Sequence, residues 1–520
     1  MLYFCEFISE KTKITLRIHR NQDMIYPILT PEEAAEFVQH GMNVGVSGFT
    51  APGCPKVVPP AIAAKARREH EAGREFKINL FTGASTSDYT DGELSRADAL
   101  NYRTPYQSLG ELRKHINAGD VHYNDRHLSE LSQEFRYGYY GKMDIAIVEV
   151  QSIDDNGDMV LGTGLGNTPT WLQCAEKVII EINDMIPESI HGMHDIYVPL
   201  DPPARREIPI YKPSDRAGKP VAHVDPKKVL GVVKTSMPLG VTTPFTPVDE
   251  VTAKIGEYVC EFLVSEMKHG RMPKSFLPIQ SGVGNIANAV LNSLEASTDI
   301  PAFEMYTEVV QDSVLKLLES GRCKFASTCS MTFSRDAMTE FFQKPELHDK
   351  LLMRPSEISN NPEVIRRIGV VSMNTAIECD LYGHINSSHV SGSRLMNGIG
   401  GSGDFTRNAY TSIFLCPSIK KDDCISTIVP MVTHCDHTDH SVDIIITDQG
   451  IADLRFKDPV QQAEEIIEHA AHPVYRPLLR EYLKLAGQGH IRLNPDMALA
   501  FHSALAHEGD MRKADFSKWL

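Results

Sequence analysis

Short apolar runs with the length of β-strands alternate along this chain with segments that have helical spacing. The strand-like runs in the first half are residues 44–47, 78–81, 145–148 and 178–182, and the helix-like segments are residues 31–40, 59–72 and 91–100. Parallel strands need long crossover connections, and these are usually helices. The alternation therefore predicts βαβ units, and with them an α/β fold whose sheets are mainly parallel.

The chain of 520 residues is too long for one ordinary hydrophobic core, so at least two domains are expected. Between residues 199 and 227 the alternation stops and prolines cluster among charged residues, which suits a connection better than a sheet. A second α/β series follows. Its predicted helices are 249–269, 285–296 and 459–470, and its predicted strands are 277–280, 367–371, 411–415, 425–429 and 442–446. We predict an N-terminal α/β domain over 23–225 and a C-terminal α/β domain over 226–520.

Charge and cysteine content narrow the functional classes. The net charge of −16 argues against general nucleic-acid binding, although local basic residues could still hold a polyanionic cofactor. The ten cysteines are scattered without a CxxC pair, which indicates reduced thiols. No apolar run reaches the length of a membrane-spanning helix, and the first residues lack the basic start of a signal peptide. We therefore expect a cytoplasmic protein.

Two segments of the second half carry candidate chemistry. Glu308 ends a β-rich run just before the helix-patterned residues 312–319, and its neighbours are uncharged apart from Asp312. Burial there would raise the pKa of the carboxyl group. The glycine-rich residues 397–405 could approach a ligand closely and aim N–H groups at a developing negative charge. Glu308 is a nucleophile for acyl transfer, a surface carboxylate or a buried structural one. The sequence has no GxSxG motif to supply a serine nucleophile instead, and no P-loop.

Three further motifs have a functional and a structural interpretation. Gly282-Val-Gly284 follows a predicted strand, so it is either a ligand-binding turn or a tight turn with Asn285 capping the next helix. The glycines at 162–166 and 398–403 lack the full context of a dinucleotide-binding fingerprint. The His- and Asp-rich residues 434–440 lack the spacing of a metal site, so we predict a polar turn and no metal.

Taken together, these motifs resemble the acetyl-CoA hydrolase/transferase family, in particular its class I succinyl-CoA:acetate CoA-transferases. The resemblance spans about residues 30–485. It is carried by matches at 47–50 with Pro55 and Lys56, 82–86, 91–94, 175–181, 280–286, 307–312, 359–360, 365–369, 397–405 and 450–455. It implies two similar open α/β domains with mainly parallel sheets and an active site in the cleft between them.

The resemblance also implies roles for single residues. Glu308 matches the glutamate that attacks the acyl-CoA and then carries CoA as a thioester. The N–H groups of Val283 and Gly401 match an oxyanion hole, and Asn360 matches a polar active-site residue. The positions that match CoA-binding residues are Gly282, Val283, Gly284, Asn285, Ile286, Ile377, Asn397, Gly401 and Lys421.

The implied function is a ping-pong CoA-transferase acting on CoA thioesters and short-chain carboxylates of the acetate and succinate type. No metal or cofactor beyond CoA as substrate is expected, nor a nucleic-acid or membrane partner, and a homodimer is expected. The alternatives are an acetyl-CoA hydrolase, a propionyl- or butyryl-CoA transferase, and a CoA-binding sensor without catalysis.

The chain departs from the family pattern at three places. Residues 234–245 are less charged than in the acetate-specific transferases, Phe456 stands where the family usually has glycine, and residues 1–22 have no counterpart. We interpret residues 1–22 as an N-terminal extension.

Overall fold

The computed structural model describes residues 24–242 and 247–519, and two large sheets flanked by helices form its framework. The predicted α/β class with mainly parallel sheets is confirmed. The predicted extension at residues 1–22 lies outside the described residues.

The first half supplies six helices and nine strands. The helices are α1 (Pro31–Glu36), α2 (Val58–Glu71), α3 (Glu93–Arg96), α4 (Gly110–Ala118), α5 (Leu128–Arg136) and α6 (Thr168–Cys174). The strands are β1 (Asn43–Val46), β2 (Ile78–Phe81), β3 (Leu100–Thr104), β4 (His122–Tyr123), β5 (Met143–Ile153), β6 (Asp158–Leu161), β7 (Ala175–Asn183), β8 (Ala222–His223) and β9 (Val229–Thr235).

The second half supplies the remaining elements. The helices are α7 (Glu250–Lys268), α8 (Asn285–Ala296), α9 (Asp312–Glu319), α10 (Arg335–Gln343), α11 (Ser356–Ser359), α12 (Pro362–Ile368), α13 (Ser402–Thr406), α14 (Pro459–His469), α15 (Arg476–Leu485) and α16 (Ala500–Glu508). The strands of the large sheet are β10 (Ile279–Ser281), β11 (Phe303–Tyr306), β13 (Cys323–Thr328), β15 (Leu351–Met353), β16 (Val371–Thr375), β21 (Thr411–Leu415), β25 (Ile444–Thr447) and β26 (Gly450–Asp453). The short strands outside it are β12 (Val309–Val310), β14 (Ser330–Met331), β17 (Glu378–Asp380), β18 (Ile385–Asn386), β19 (His389–Val390), β20 (Arg394–Leu395), β22 (Ile419–Lys420), β23 (Ile425–Ser426) and β24 (Ile428–Val429).

The two large sheets share one strand order. In the first, the chain starts at β1, moves outward through β2, β3 and β4, then returns to the other side of β1 with β5, β7 and β9. In the second, it starts at β10, moves outward through β11, β13 and β15, then returns with β16, β21 and β25. The neighbouring pairs along these paths are all parallel. Each sheet therefore has a switch point, between β1 and β5 or between β10 and β16, where open α/β sheets usually bind ligands.

The helix and strand predictions are mostly confirmed, with three differences. The strand predicted over 425–429 is divided into β23 and β24, which pair with different strands, and the helix predicted over 91–100 ends at Arg96, before β3 begins at Leu100. A strand predicted over 367–371 is wrong, because residues 362–368 form α12. Asn361 caps that helix by accepting hydrogen bonds from two backbone N–H groups, and Gly369 ends it with a φ of +72°. The strand begins only at Val371. Periodicity missed this because the apolar residues 364, 365 and 368 also suit a short buried helix.

The proline-rich segment is packed onto the protein. Its strand β8 pairs with β6, and Arg354 from the second half donates to the backbone carbonyl of Pro213 at 3.0 Å and pairs with the buried Asp195. β9, which follows this segment, pairs with β7 in the first sheet. The first sheet therefore continues to Thr235, beyond the boundary predicted at residue 225, and the division into two domains stays a prediction.

One large cluster of buried apolar side chains includes residues from both halves, among them Trp171 and Ile279. The Trp171 ring lies under β1 and donates its Nε1–H to the Val46 carbonyl at 3.2 Å. Among the described helices, none is both long and apolar enough to cross a membrane. The cytoplasmic location and the homodimer stay predictions.

Candidate active site

Glu308 lies in the short connection between β11 and β12, at the carboxyl end of the second sheet. Its backbone carbonyl accepts hydrogen bonds from the Cys329 N–H at 2.9 Å and from the Thr328 hydroxyl at 3.0 Å. These bonds tie the connection to the end of the neighbouring strand β13. Residues at the carboxyl ends of parallel strands are where α/β proteins place ligand-binding groups, so the fold presents Glu308 at a functional edge.

The carboxylate of Glu308 has one side-chain hydrogen-bond donor. The Asn360 Nδ2 group, at the end of α11, donates to Glu308 Oε2 at 2.7 Å. Asn360 is fully buried, and the Ser359 hydroxyl donates to its Oδ1 at 2.8 Å, which orients the amide. Desolvation raises the pKa of Glu308 to about 7, and the Asn360 hydrogen bond opposes that rise by favouring the ionised form.

Gly401 leaves the space in which this carboxylate lies. A Cβ atom at residue 401 would stand 1.7 Å from Glu308 Oε2 and 2.3 Å from Asn360 Nδ2, well inside van der Waals contact. Gly401 is also the N-cap residue of helix α13. The structure thus brings together three of the predicted site residues: Glu308, Asn360 and Gly401.

The Gly282–Val283–Gly284 turn lies beside the Glu308 connection. The Thr307 hydroxyl donates to the Ser281 carbonyl at 3.0 Å, and the Gly284 N–H donates to Gln311 Oε1 at 3.3 Å. Residues on both sides of Glu308 therefore hold the end of β10 and its turn. These contacts place the turn next to the carboxylate and at the switch point between β10 and β16.

The sequence pattern allows a tight turn in which Asn285 caps the next helix, and the geometry of this turn differs from that. Gly284, with a φ of +119°, occupies the N-cap position, and Asn285 is the first residue of α8, followed by Ile286. A side chain at residue 284 would strain the backbone. Val283 is 40% exposed, so its side chain contributes little to the core and the turn is open to a ligand.

Residues of the first half hold the glycine-rich turn from the other side. Both Asp125 carboxylate oxygens accept from the Ile399 N–H, at 2.8 and 3.0 Å. At residue 398 a Cβ would stand 2.3 Å from the Tyr123 hydroxyl and 3.1 Å from the Tyr106 ring. Only glycine allows these three side chains to approach so closely.

The sequence interpretation missed these first-half residues. Asp125 follows β4, and Tyr106 follows β3, at the carboxyl ends of two parallel strands. The position of polar and aromatic residues just after strands was the available signal. It could not single them out, because their partners lie more than 270 residues away in the chain.

Three of the residues predicted to contact CoA make no hydrogen bond to Glu308, Asn360 or Gly401 among the described residues. Asn397 uses its side-chain amide to donate to the carbonyls of Ser387 and Gly398, at 3.1 and 2.9 Å. Ile377 is half-buried after β16. Lys421 is exposed in the turn between β22 and β23.

The His- and Asp-rich residues 434–440 support the glycine-rich turn. His437 Nε2 lies 3.0 Å from the Ser402 hydroxyl, and Asp436 accepts from the Ser388 hydroxyl at 2.7 Å. Burial lowers the pKa of His437 to about 4. Among the residues that the structure describes, no group of three or more His, Cys, Asp or Glu side chains is placed to hold a metal ion.

Two family models match this chain. Residues 16–238 match the acetyl-CoA hydrolase/transferase N-terminal domain, and residues 337–483 match the C-terminal domain of the same family.

Three curated relatives are similar over nearly the whole chain. The propanoyl-CoA:succinate CoA transferase of Escherichia coli is 47% identical, over 93% of this chain and 98% of the relative. The succinyl-CoA:acetate CoA-transferase of Clostridium kluyveri is 43% identical, over 96% and 93%. The acetyl-CoA hydrolase of Neurospora crassa is 40% identical, over 96% and 97%.

Solved structures share the fold. RipA from Yersinia pestis is 21% identical with a TM-score of 0.67, and the 4-hydroxybutyrate CoA-transferase from Porphyromonas gingivalis is 20% identical with a TM-score of 0.61. Each comparison covers 88% of this chain and 97% of the other.

Proposed function

The chain belongs to the acetyl-CoA hydrolase/transferase family, whose members act on acyl-CoA, and from this premise we propose that it transfers CoA between short-chain carboxylates through a thioester on Glu308. The observation that carries the proposal is the position of the Glu308 carboxylate. It is hydrogen-bonded to Asn360 and lies in the space that Gly401 leaves free.

The proposed reaction begins with attack by a Glu308 oxygen on the thioester carbonyl of the acyl-CoA. The carbon–sulfur bond breaks, which leaves a mixed anhydride on Glu308 and a free CoA thiolate. The thiolate then attacks the Glu308 carbonyl carbon, so that the first carboxylate leaves and a glutamyl-CoA thioester remains. An incoming carboxylate reverses both steps and leaves as the new acyl-CoA. No proton is gained or lost over the cycle.

The environment of Glu308 suits a nucleophile. A desolvated carboxylate is more reactive than a hydrated one, and a pKa of about 7 leaves a substantial ionised fraction at neutral pH. Asn360 donates to one oxygen, which favours the ionised form and leaves the other oxygen for attack. The absence of a side chain at Gly401 gives the acyl carbonyl room to approach.

We further propose the ligand contacts that the family resemblance implies. The N–H groups of Val283 and Gly401 form the oxyanion hole for the tetrahedral intermediates, each contributing about 10²–10³ in rate. Gly282, Gly284, Asn285, Ile286, Ile377, Asn397 and Lys421 contact CoA. The binding energy of these remote contacts stabilises the transition state of an intrinsically poor nucleophilic attack. We also propose that the site lies in a cleft between the two α/β halves, and the hydrogen bond between Asp125 of the first half and the turn that carries Gly401 supports this.

Hydrolysis of acetyl-CoA is the second candidate function. It is favoured by relatives that are named acetyl-CoA hydrolases, such as the 40% identical protein of Neurospora crassa. In that reaction, water would attack the same intermediate on Glu308. Transferase and hydrolase therefore differ only in how well the site excludes water from the anhydride or thioester.

The two functions differ in how the rate responds to an added carboxylate. The enzyme is incubated with acetyl-CoA, propanoyl-CoA or succinyl-CoA, with and without acetate, propanoate or succinate as acceptor. A transferase forms the new acyl-CoA in proportion to the old one consumed. If no acceptor speeds the loss of acyl-CoA while free CoA accumulates, the transferase proposal is wrong and hydrolysis is the reaction.

The thioester on Glu308 is tested by trapping. The enzyme is treated with an acyl-CoA alone, reduced with borohydride, digested and measured by mass spectrometry, and the reduced residue is expected at Glu308. The matched control is Glu304→Gln, because Glu304 is a partly buried glutamate on β11, the strand that leads into the Glu308 connection. That variant keeps the modification, whereas Glu308→Gln loses both the modification and turnover. An unmodified Glu308 peptide from active enzyme would move the nucleophile elsewhere.

A further inference from the structure

A cavity of about 530 Å³ lies beside the glycine-rich turn and outside the proposed nucleophile's contacts. Four segments line it: the start of α5, the proline-rich chain, the region from α11 into α12, and α13 with the turn that follows it. The proline-rich segment, which the proposed reaction does not use, thus forms one wall of this cavity. The lining contains as many arginines as acidic residues, so its charge depends on which of them are already paired.

Each carboxylate of the lining has an ion-pair or hydrogen-bond partner in the protein. Three are in ion pairs with arginines outside the cavity, and the pairs are Glu130 with Arg126, Glu357 with Arg136, and Glu363 with Arg367. The fourth, Asp404, accepts hydrogen bonds from the backbone N–H and the hydroxyl of Ser129. Desolvation raises the pKa of Asp404 to about 8, so this group is largely protonated at neutral pH. Each acidic residue of the lining is therefore engaged by a protein group, although Arg126 also pairs with Glu134 and Arg136 also pairs with Asp201.

The arginines of the lining are mostly unpaired. Arg205 has a partner in Asp201, at 3.5 Å. Within the residues that the structure describes, Arg206, Arg366 and Arg407 have no carboxylate partner. The side chain of Arg366 donates only to the backbone carbonyl of Arg407, at 2.8 Å, a contact that also holds these two guanidinium-bearing residues together. Three exposed arginines thus line one cavity, and none of them has a carboxylate partner in the described part of the chain.

His127, which lines the inner wall of the cavity, has a ring nitrogen without a hydrogen-bond partner among the described residues. His127 Nδ1 is buried, and no described group is its hydrogen-bond partner. Desolvation lowers the pKa of His127, so the ring is neutral at physiological pH and one of its nitrogens carries a proton. Solvent does not reach this nitrogen, so His127 lines the cavity without offering Nδ1 to a ligand, and the arginines provide the charged contacts.

We propose that this cavity binds a small multivalent oxyanion, with Arg206, Arg366 and Arg407 as its charged contacts and His127 at its inner wall. Guanidinium groups suit this ligand class because their N–H groups match the geometry of carboxylates and phosphates. A polycarboxylate and an inorganic phosphate share this chemistry. The site differs from that of the acyl-CoA, and it adjoins α13, whose N-cap is Gly401. The inference does not rest on the proposed reaction.

The test is calorimetric titration of the full-length protein with citrate and, separately, with phosphate at low ionic strength. The titrations are repeated with saturating CoA, which separates this cavity from the CoA site. The variant is Arg206→Gln, because Arg206 is exposed and its side chain holds no described element together. Arg407→Gln is the second variant, and Arg335→Gln is the matched control, an exposed arginine outside the cavity that has no ion pair within the described chain.

We expect at least one anion to bind with CoA present, and each of Arg206→Gln and Arg407→Gln to weaken that binding about tenfold, as one charged hydrogen bond is lost. Arg335→Gln should bind as the unchanged protein does. Citrate binding without phosphate binding identifies the ligand class as polycarboxylate, and the reverse result identifies it as phosphate. The proposal is overturned if neither anion binds, if CoA displaces both, or if Arg206→Gln binds as tightly as Arg335→Gln.

Discussion

Asp125 and Ile399 are joined across the two halves of the protein by a hydrogen bond from the Ile399 N–H to both oxygens of the Asp125 carboxylate. The bond anchors the glycine-rich turn two residues before Gly401, and Gly401 in turn borders the Glu308 carboxylate. A residue of the first half thereby positions a backbone segment of the second. Desolvation raises the pKa of Asp125 to about 7, while the Ile399 N–H opposes the rise.

Asp125→Asn should lower kcat about ten- to a hundredfold, because the turn that carries Gly401 loses the carboxylate that accepts from the Ile399 N–H and the proposed oxyanion donor shifts. KM should change less than kcat, since Asp125 holds the turn and is not among the residues proposed to contact CoA. The measurement is steady-state kinetics with both substrates varied. Asp299→Asn is the control, an exposed aspartate without a hydrogen-bond partner among the described residues. An unchanged kcat in Asp125→Asn would show that the bond does not position the turn.

Gly401→Ala should reduce kcat/KM by at least about 10²-fold, because the added Cβ would stand 1.7 Å from Glu308 Oε2 and must displace the carboxylate. Gly110→Ala is the matched control, since no described heavy atom lies within 4 Å of a Cβ at that helical residue. Kinetics of both variants check this prediction, with circular dichroism to confirm that both are folded. Equal rates in the two variants would contradict the close approach of Gly401 to Glu308.

The pH dependence of kcat/KM should follow the ionisation of Glu308. Because the proposed nucleophile is the ionised carboxylate and desolvation raises its pKa to about 7, the rate should fall as the pH drops below about 7. Replacing Asn360 by Ala removes the donor that favours the ionised form, so the midpoint should move to higher pH. A profile that stays flat from about pH 5 to pH 8 would rule out an ionisation of this kind.

Glu308→Gln should change how stability depends on pH. The pKa of Glu308 in the folded protein, about 7, lies above its ordinary value of 4.5, so ionisation of this group opposes folding. Its cost is absent below pH 4.5, grows between pH 4.5 and about 7, and is complete above that. The free energy of unfolding that Glu308→Gln gains over the unchanged protein should therefore be larger at pH 8 than at pH 5. Urea unfolding at the two pH values measures this difference, and a difference of the opposite sign would mean that Glu308 is stabilised as an anion.

Phe456→Gly should stabilise the protein. Phe456 has a φ of +56° and is completely exposed, so its side chain adds no packing and its backbone is strained. The left-handed conformation costs about 1–2 kcal/mol for a residue with a Cβ, and the greater chain entropy of glycine offsets about 0.5–1 kcal/mol of that gain. Urea unfolding should show a net gain of about 0.5–1 kcal/mol. Phe456→Ala is the control, because it removes the ring but keeps the strain, and an equal gain in both would assign the effect to the ring.

Local sequence was sufficient for most individual elements. The strands at Ile78–Phe81 and Thr411–Leu415 and the helices at Asn285–Ala296 and Asp312–Glu319 have the bounds that periodicity predicts. Each combines an unambiguous apolar period with a clear polar or glycine boundary. The error over 367–371 arose where a short apolar run suits a helix as well as a strand, and there a capping asparagine and a left-handed glycine decided the outcome.

The residues of the candidate site also fall into those that the sequence could identify and those that it could not. Glu308 could be named from the sequence because family motifs surround it, and the resemblance paired it with Asn360 and Gly401. The anchors Asp125, Tyr123 and Tyr106 could not be named, because their partner lies in the other half of the chain. Likewise, the sequence could not predict that β9 belongs to the first sheet, since strand pairing depends on register between distant segments.

The sequence by itself determined the α/β class, the helix and strand periods, the family and the glutamate at its centre, because all of these depend on residues close together in the chain. Only the tertiary structure decided that Gly401 lies so close to Glu308 that a Cβ atom at residue 401 would overlap the carboxylate. It also decided that Asp125 anchors the glycine-rich turn, and that three arginines without acidic partners among the described residues line one cavity. The physical reason is that desolvation, close approach and charge pairing depend on distances between atoms. Those distances are set by how the two sheets pack together, and no local pattern of residues encodes them.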